Sequence, residues 1–281
     1  MSYLGSMVDR ASRALYQRFL PEGPSHAFVW KYAQAVGGRR PRHFHAEPEL
    51  NLVVAGAATF AIGERIVRAG RGDLLAFPSG QDHALLEASP DLYLYAVGLE
   101  ARHSAHVLGG SEVTAPLHVR LDANELKSVE DRAAAIVDRA DAEQLGAELW
   151  QRAHWLGQRA AGGASHRPHV LTRRALQLMQ ASPELGLEAL AGTLRTQPSE
   201  VSRHFHRDVG TTLVRYRTRL RLLELIRLVD TGEHDLMTAA SSAGFGSYSQ
   251  CHRAFRAELG CAPSGFFVKG MRERMQCAYE G

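Results

Sequence analysis

Four residues in the front part of the chain have the types and spacing to hold a cation. His43 and His45 lie two apart, Glu49 follows, and His83 stands further along. Residues two apart on a β-strand project to the same side, so the two histidines would point together, into a barrel if the register permits. Glu49 and His83 could join them. Three imidazoles and one carboxylate form a familiar donor set for a divalent transition metal such as manganese, iron, nickel, copper or zinc, with positions left open for a ligand. The donor types do not choose among these metals. None of the four is assigned a catalytic role.

A second kind of chemistry is written into the back of the chain as a repeat. The segments Leu190 to Gly210 and Ala239 to Gly260 resemble each other after a shift of 49 or 50 residues, and at an offset of 50 Val201, Arg203, Phe205 and Gly210 fall on Cys251, Arg253, Phe255 and Gly260. Each copy reads as a short helix, a tight turn and a longer helix. In the first copy Val201, Phe205 and Val209 recur every four residues and can bury, leaving Ser199, Ser202, Arg203 and His206 as a polar stripe. In the second, Cys251, Phe255 and Leu259 bury, and Ser249, His252, Arg253 and Arg256 face out. A helix of this kind fits the major groove, where an arginine pairs with O6 and N7 of guanine. One such helix is an ordinary amphipathic surface; two matched copies with arginine at the same place point to DNA.

These residues need elements to hold them. From about Ala27 to Leu99 the chain reads as short strands, including Phe28 to Trp30, Leu50 to Val54, Ala58 to Ile62, Asp73 to Phe77 and Leu92 to Val97, punctuated by glycines. That spacing predicts a sandwich or small barrel. An amphipathic segment around Val8 to Phe19 precedes it. From Asp122 to about Ala161 Leu126, Val129, Ala133, Ile136, Leu145, Leu149 and Leu156 recur at helical intervals and predict two helices. Gly162 to Pro168 then combines small residues with a proline and predicts an interdomain linker. The expected division is a sensor domain at 1–120, a helical pairing segment at 121–161, a linker at 162–168 and an all-α DNA-binding domain at 169–281, a multidomain α+β architecture.

Composition fits this plan. The 281 residues are 45% hydrophobic and 22% charged, which excludes intrinsic disorder and fibrous repeats. No apolar run is long enough to span a bilayer, and the start lacks an export-signal pattern, so a cytoplasmic location is expected. The cysteines Cys251, Cys261 and Cys277 have neither disulfide-framework nor zinc-type spacing. Before and including Ser165 there are 17 Lys and Arg against 19 Asp and Glu, and after it 16 against 11, so the cationic surplus lies on the DNA-binding half.

The back of the chain, from about Val170 to Phe267, resembles the AraC/XylS family of bacterial transcription regulators. The resemblance rests on Tyr216-Arg217-Thr218-Arg219-Leu220-Arg221-Leu222 in a helix expected over Thr212 to Val229, on the string from Ala243 to Phe255, and on Gly260-Cys261-Ala262-Pro263-Ser264. It implies two helix-turn-helix units joined by a long helix, with base contacts at Ser199, Ser202 and Arg203 and at Tyr248, Ser249, His252 and Arg253. Cys251 and Ala239 stand where the family usually has larger apolar residues, and Gln197 where it usually has a serine cap. The expected consequence is a looser second unit, since each lost buried methylene is worth ~0.8 kcal/mol.

The front of the chain, roughly Phe28 to Val97, is similar to the cupin β-barrel in both of its sequence motifs: Gly37, His43, His45, Glu49 and Gly56, then Gly72, Pro78, Gly80 and His83, with Glu87 in place of the usual asparagine. Sensor barrels of this family often carry part of the histidine pattern around a sugar or other small effector without a metal, so a metal seat and a metal-free effector pocket both stay open. The resemblance implies a sequence-specific regulator that binds promoter DNA under control of an effector or metal, paired as a homodimer through the helical segment and able to contact RNA polymerase. The alternative is a metal-dependent cupin enzyme carrying a DNA-binding tail.

Overall fold

The computed structural model describes residues 14–18, 27–33, 40–100, 116–137, 148–151, 155, 159, 164–233 and 235–268. Gly37, Leu145, Leu156, Cys277 and the start of the amphipathic opening segment lie outside them. Its front half is built from β1 (Leu15–Tyr16), β2 (Ala27–Ala33), β3 (Arg40–Phe44), β4 (Glu49–Ala55), β5 (Ala57–Ile62), β6 (Arg65–Gly70), β7 (Asp73–Phe77), β8 (His83–Ala88), β9 (Tyr93–Leu99) and β10 (Leu117–Arg120). They form two sheets, ordered β1-β3-β8-β5-β6 and, with a later strand β11 (Ala164–His166), β11-β10-β7-β4-β9-β2. The opening segment, where described, supplies the edge strand β1, parallel to β3.

Strand alternation sorts side chains between an interior and an outer face. On β4, Val53 packs between the sheets with Phe60, Leu75 and Phe77, while Leu50, Leu52 and Val54 turn the other way onto helix α1 (Ala123–Ile136). Glu49 and Asn51 share the face of Val53 and therefore point inward. Helix α1 starts at a reciprocal capping box between Asp122 and Glu125. Its buried residues Leu126, Val129, Ala133 and Ile136 are the helical stripe legible in the sequence, and they cover the second sheet together with Leu149 and Trp150. Among the described residues of the expected pairing segment, the buried ones thus belong to the barrel core.

The linker region is not loose chain throughout. Ala164–His166 is β11, antiparallel to β10, so the barrel holds the approach to the helical half. That half contains α2 (Val170–Ala181), α3 (Leu187–Leu194), α4 (Pro198–Val209), α5 (Leu213–Asp230), α6 (Leu236–Ser242), α7 (Tyr248–Leu259) and α8 (Pro263–Val268). The expected joining helix is α5, capped by Thr212. Two cores form on it: α2, α3, α4 and the start of α5 enclose Val201, Phe205, Val209 and Tyr216, and the rest of α5 with α6, α7 and α8 encloses Cys251, Phe255, Leu259 and Phe266.

Backbone carbonyls of the helical half accept several of the hydrogen bonds that join it to the barrel. In the β5–β6 turn the Glu64 amide donates to the Gly210 carbonyl at 2.7 Å, Arg65 Nη1 donates to the Asp208 carbonyl at 2.9 Å, and Gln81 Nε2 donates to the Val209 carbonyl at 3.1 Å. Gly63 and Gly210 both have positive φ, at 57° and 74°. Neither has room for a Cβ: one on Gly63 would lie 2.4 Å from the Gly210 oxygen.

Candidate functional site

The four predicted donors converge. His43 on β3 and His83 on β8 are directly opposed in the antiparallel register, with ring centroids 4.2 Å apart. His45 follows β3 immediately, its ring 5.2 Å from that of His83. Glu49 opens β4 in the other sheet, opposite Phe77, so the site is assembled from both sheets. His83 is stacked on Phe77 at 4.3 Å. All four residues are buried, and one donor atom from each lies within 4.8 Å of the others.

Second hydrogen bonds fix the tautomers. Nδ1 of His43 faces the Pro41 carbonyl at 2.8 Å, Nδ1 of His45 the Glu47 carbonyl at 2.7 Å, and Nδ1 of His83 the Gln81 carbonyl at 3.1 Å. A carbonyl only accepts, so each Nδ1 must carry the hydrogen, which leaves Nε2 as a lone pair in the neutral ring. Yet Nε2 of His45 and of His83 lie 2.9 and 3.1 Å from Glu49 Oε2, another acceptor. Each close approach needs a proton, on the ring or on the carboxyl, or a metal ion between the two atoms. The remaining oxygen of Glu49 accepts from Asn51 Nδ2 at 2.8 Å. The donor set, its burial and its anchoring partners fit a divalent transition metal.

The electrostatics agree. Burial opposes ionisation of Glu49, but electrostatic interaction with His83 and hydrogen bonds with His45 and His83 outweigh it and hold the carboxyl well below the usual range. Burial also opposes charge on His45, and its hydrogen bond to Glu49 reverses that, raising its pKa. His43 is pushed well down by burial and then by electrostatic interaction with the neighbouring His83 and His45. Burial and neighbours together favour an ionised Glu49 beside an uncharged His43.

The residues predicted to read DNA lie on α4 and α7. Ser199, Arg203 and His206 are exposed and Ser202 half-buried on α4; Ser249, Arg253 and Arg256 are exposed and Tyr248 and His252 half-buried on α7. The opposite faces bury as predicted, with Val201, Phe205, Cys251 and Phe255 at 0% exposure. Gln197 gives α4 no side-chain cap, whereas Ser247 caps α7 by accepting from the Gln250 amide. Arg203 lies 3.9 Å from Glu200 on its own helix, too loose to withdraw it from solvent. His206 is different, since Glu64 of the barrel lies 3.8 Å away.

Sequence reasoning missed Asn51, although its position two residues after Glu49 on one strand was the available signal. It also missed the pairing of Asp82, Arg219 and Glu258, which lie on different elements: Arg219 stands in the string that carries the family resemblance, but nothing local couples it to the other two. Glu87 does not join the donors; it is exposed on β8 and accepts from Thr59 at 3.4 Å.

Two family models match the chain: an AraC-like ligand binding domain over residues 26–156 and a helix-turn-helix domain over residues 190–268. Comparison with curated proteins gives no match. Among solved structures, an apo form of ToxT from Vibrio cholerae strain SCE256 is similar at 11% identity over 88% of this chain and 98% of that one, with a TM-score of 0.47. An unsaturated fatty acid bound ToxT from the same strain has 14% identity over 88% and 96%, with a TM-score of 0.46. Oxalate decarboxylase from Bacillus subtilis has 25% identity over 28% of this chain and 22% of that one, with a TM-score of 0.25. No described helix is long and apolar enough to cross a membrane.

Proposed function

The chain belongs to the AraC-type transcription regulators, an AraC-like ligand-binding domain followed by a helix-turn-helix domain, and from that premise we propose that it regulates promoters in response to a metal-seated effector. His43, His45, Glu49 and His83 would hold a divalent transition metal. Bound there, the metal supplies a Lewis-acidic centre with open positions for a small anionic or chelating ligand. The observation that carries this reading is the set of three Nδ1 anchors, which turns lone pairs and a carboxylate onto one point.

The protein's own part is binding and orientation. Ser199, Ser202, Arg203 and His206 would enter one major groove and Tyr248, Ser249, His252, Arg253 and Arg256 the next, with Arg203 and Arg253 as the principal base readers. A ligand that binds two arrangements of the molecule unequally shifts their populations and so shifts promoter occupancy. The chain would work in the cytoplasm as a homodimer and contact RNA polymerase at the promoter. Pairing draws support from the helical segment, where Trp155 is 52% exposed. Two linked DNA-binding domains gain affinity for adjacent half-sites without any new base contact.

Elemental analysis of untagged protein is the direct test. Close to one transition-metal ion per chain is expected, and His43→Ala combined with His83→Ala should remove it. Metal far below one per chain and unchanged by that double substitution would favour an effector pocket without a metal.

A further inference from the structure

The wall of the pocket has a second face, and the DNA-binding half is packed on it. His43 and His45 turn inward from β3, while Phe44 between them turns outward, fully buried in the core of the second helix-turn-helix unit with Tyr16 and Phe266. The guanidinium of Arg219, on the joining helix α5, lies 5.4 Å from the Phe44 ring centre. Its Nη1 donates to Asp82, the residue immediately before His83. The other oxygen of Asp82 accepts from Nη1 of Arg42, the residue immediately before His43, at 2.6 Å. On its far side Arg219 donates from Nε to Glu258 on the reading helix α7, at 3.0 Å. Arg215 holds the other Glu258 oxygen at 2.8 Å.

One fully buried cation thus touches a chain neighbour of each of the three pocket histidines and, at its other end, the second reading helix. A buried ion string of this kind is costly to form and strongly directional, because a displaced partner leaves a charge unpaired out of water. Small changes in the spacing of β3 and β8 therefore cannot be absorbed locally. Either α5 and α7 follow, or Arg219 loses a partner.

We infer that Arg219, with Asp82 and Glu258, is the positioning residue through which occupation of the histidine pocket sets the placement of reading helix α7. The inference rests on the reading that the pocket takes a divalent cation. Drawing the donors of β3, β4 and β8 onto a metal ion moves Phe44, Arg42 and Asp82 as a unit, and the Arg219 fork carries that movement to Glu258. Coupling of this sort is reciprocal: the factor by which metal changes DNA affinity must equal the factor by which DNA changes metal affinity.

The test measures that factor in the full-length protein, using Zn(II), Mn(II) or Ni(II) alone as the pocket probe and a duplex selected from a random-sequence pool by the wild-type chain. Metal affinity is determined with and without the duplex, and duplex affinity with and without metal. In wild type both ratios should be about thirtyfold, the middle of the usual range for coupled sites. Glu258→Gln breaks the string at its DNA end, away from the pocket, and Arg219→Lys keeps the charge while losing the fork. Both should retain metal binding without DNA and bring the two ratios close to one, a change that mere loss of stability would not produce. A wild-type ratio retained by either folded variant overturns the inference, as does a ratio of one in wild type with metal bound. Failure of wild type to bind any of the three ions instead removes the pocket reading itself, and the inference with it.

Discussion

Arg203 and Arg253 occupy equivalent places on two helices whose opposite faces are fully buried, so each is fixed by its helix rather than by partners on its own surface. Replacing either with alanine should cost ~1–3 kcal/mol on the preferred site and relax the preference at one base pair, as expected for loss of a bidentate guanine contact. Mobility shifts against single base-pair variants of that site would show it. An equal loss on random DNA would leave only phosphate attraction. His166 offers a second prediction. Burial, then the nearby positive charge of Arg65, lowers its pKa to about 4. The fold therefore favours the neutral ring, its contribution is intact above the unfolded value near 6.5, and it is lost as pH falls from about 6.5 towards 4. His166→Gln should flatten the stability profile in that window by on the order of 1 kcal/mol at pH 5, read by denaturant melts at pH 7 and 5. The pocket histidines were legible because their spacing is local and strand alternation is a strict rule. Asp82 and Arg219 were not, because their pairing spans 137 positions of chain and only the docking of two domains creates it.

At the scale of elements, periodicity revealed what packs against its own neighbours. The apolar runs of β4, β5, β7 and β9 and the stripe of α1 were readable, since burial on one or both faces dictates them. β6 was not, because its residue types do not follow its burial: Ile66 is 48% exposed beside buried Val67, and both stand between Arg65 and Arg68. β11 was missed for a different reason: its ladder with β10 is made by backbone, which any small-residue stretch provides, so glycine and proline nearby suggested only flexibility. The β5–β6 turn is likewise a backbone device. Gly63→Ala places a Cβ 2.4 Å from the Gly210 oxygen and does so at positive φ. Gly232 has positive φ as well, but nothing lies within 4 Å of its Cβ position, so Gly232→Ala isolates the conformational strain. Gly63→Ala should destabilise by roughly 1–3 kcal/mol more than Gly232→Ala, because backbone cannot yield as a flexible side chain does. Thermal melts give the difference, and limited proteolysis around the barrel junction should be faster in Gly63→Ala alone. Equal melts would show that the turn is not a docking contact in solution.

For the whole molecule, the decisive feature is where the cores lie. Ala14, Tyr16 and Phe44 of the barrel belong to the same apolar cluster as Leu222, Phe255 and Phe266 of the second helix-turn-helix unit, and Asp82 and Arg219 close the same interface. Exposing that face by unfolding one half alone would leave large aromatic side chains in water and strand Asp82 or Arg219 without its partner, costs that favour melting both halves together. A single calorimetric transition is therefore expected for the full chain, in place of the two expected for domains joined by a free linker. Metal should move that one transition as a whole: an ion bound only by the folded protein stabilises by about 2.7 kcal/mol at a hundredfold excess over Kd, so the melting temperature should rise by several degrees. His43→Ala with His83→Ala should abolish the rise without splitting the transition. Two separate transitions, of which metal shifts only one, would mean that the barrel and the reading helices fold independently, and that occupation of the pocket has no rigid surface through which to reach DNA.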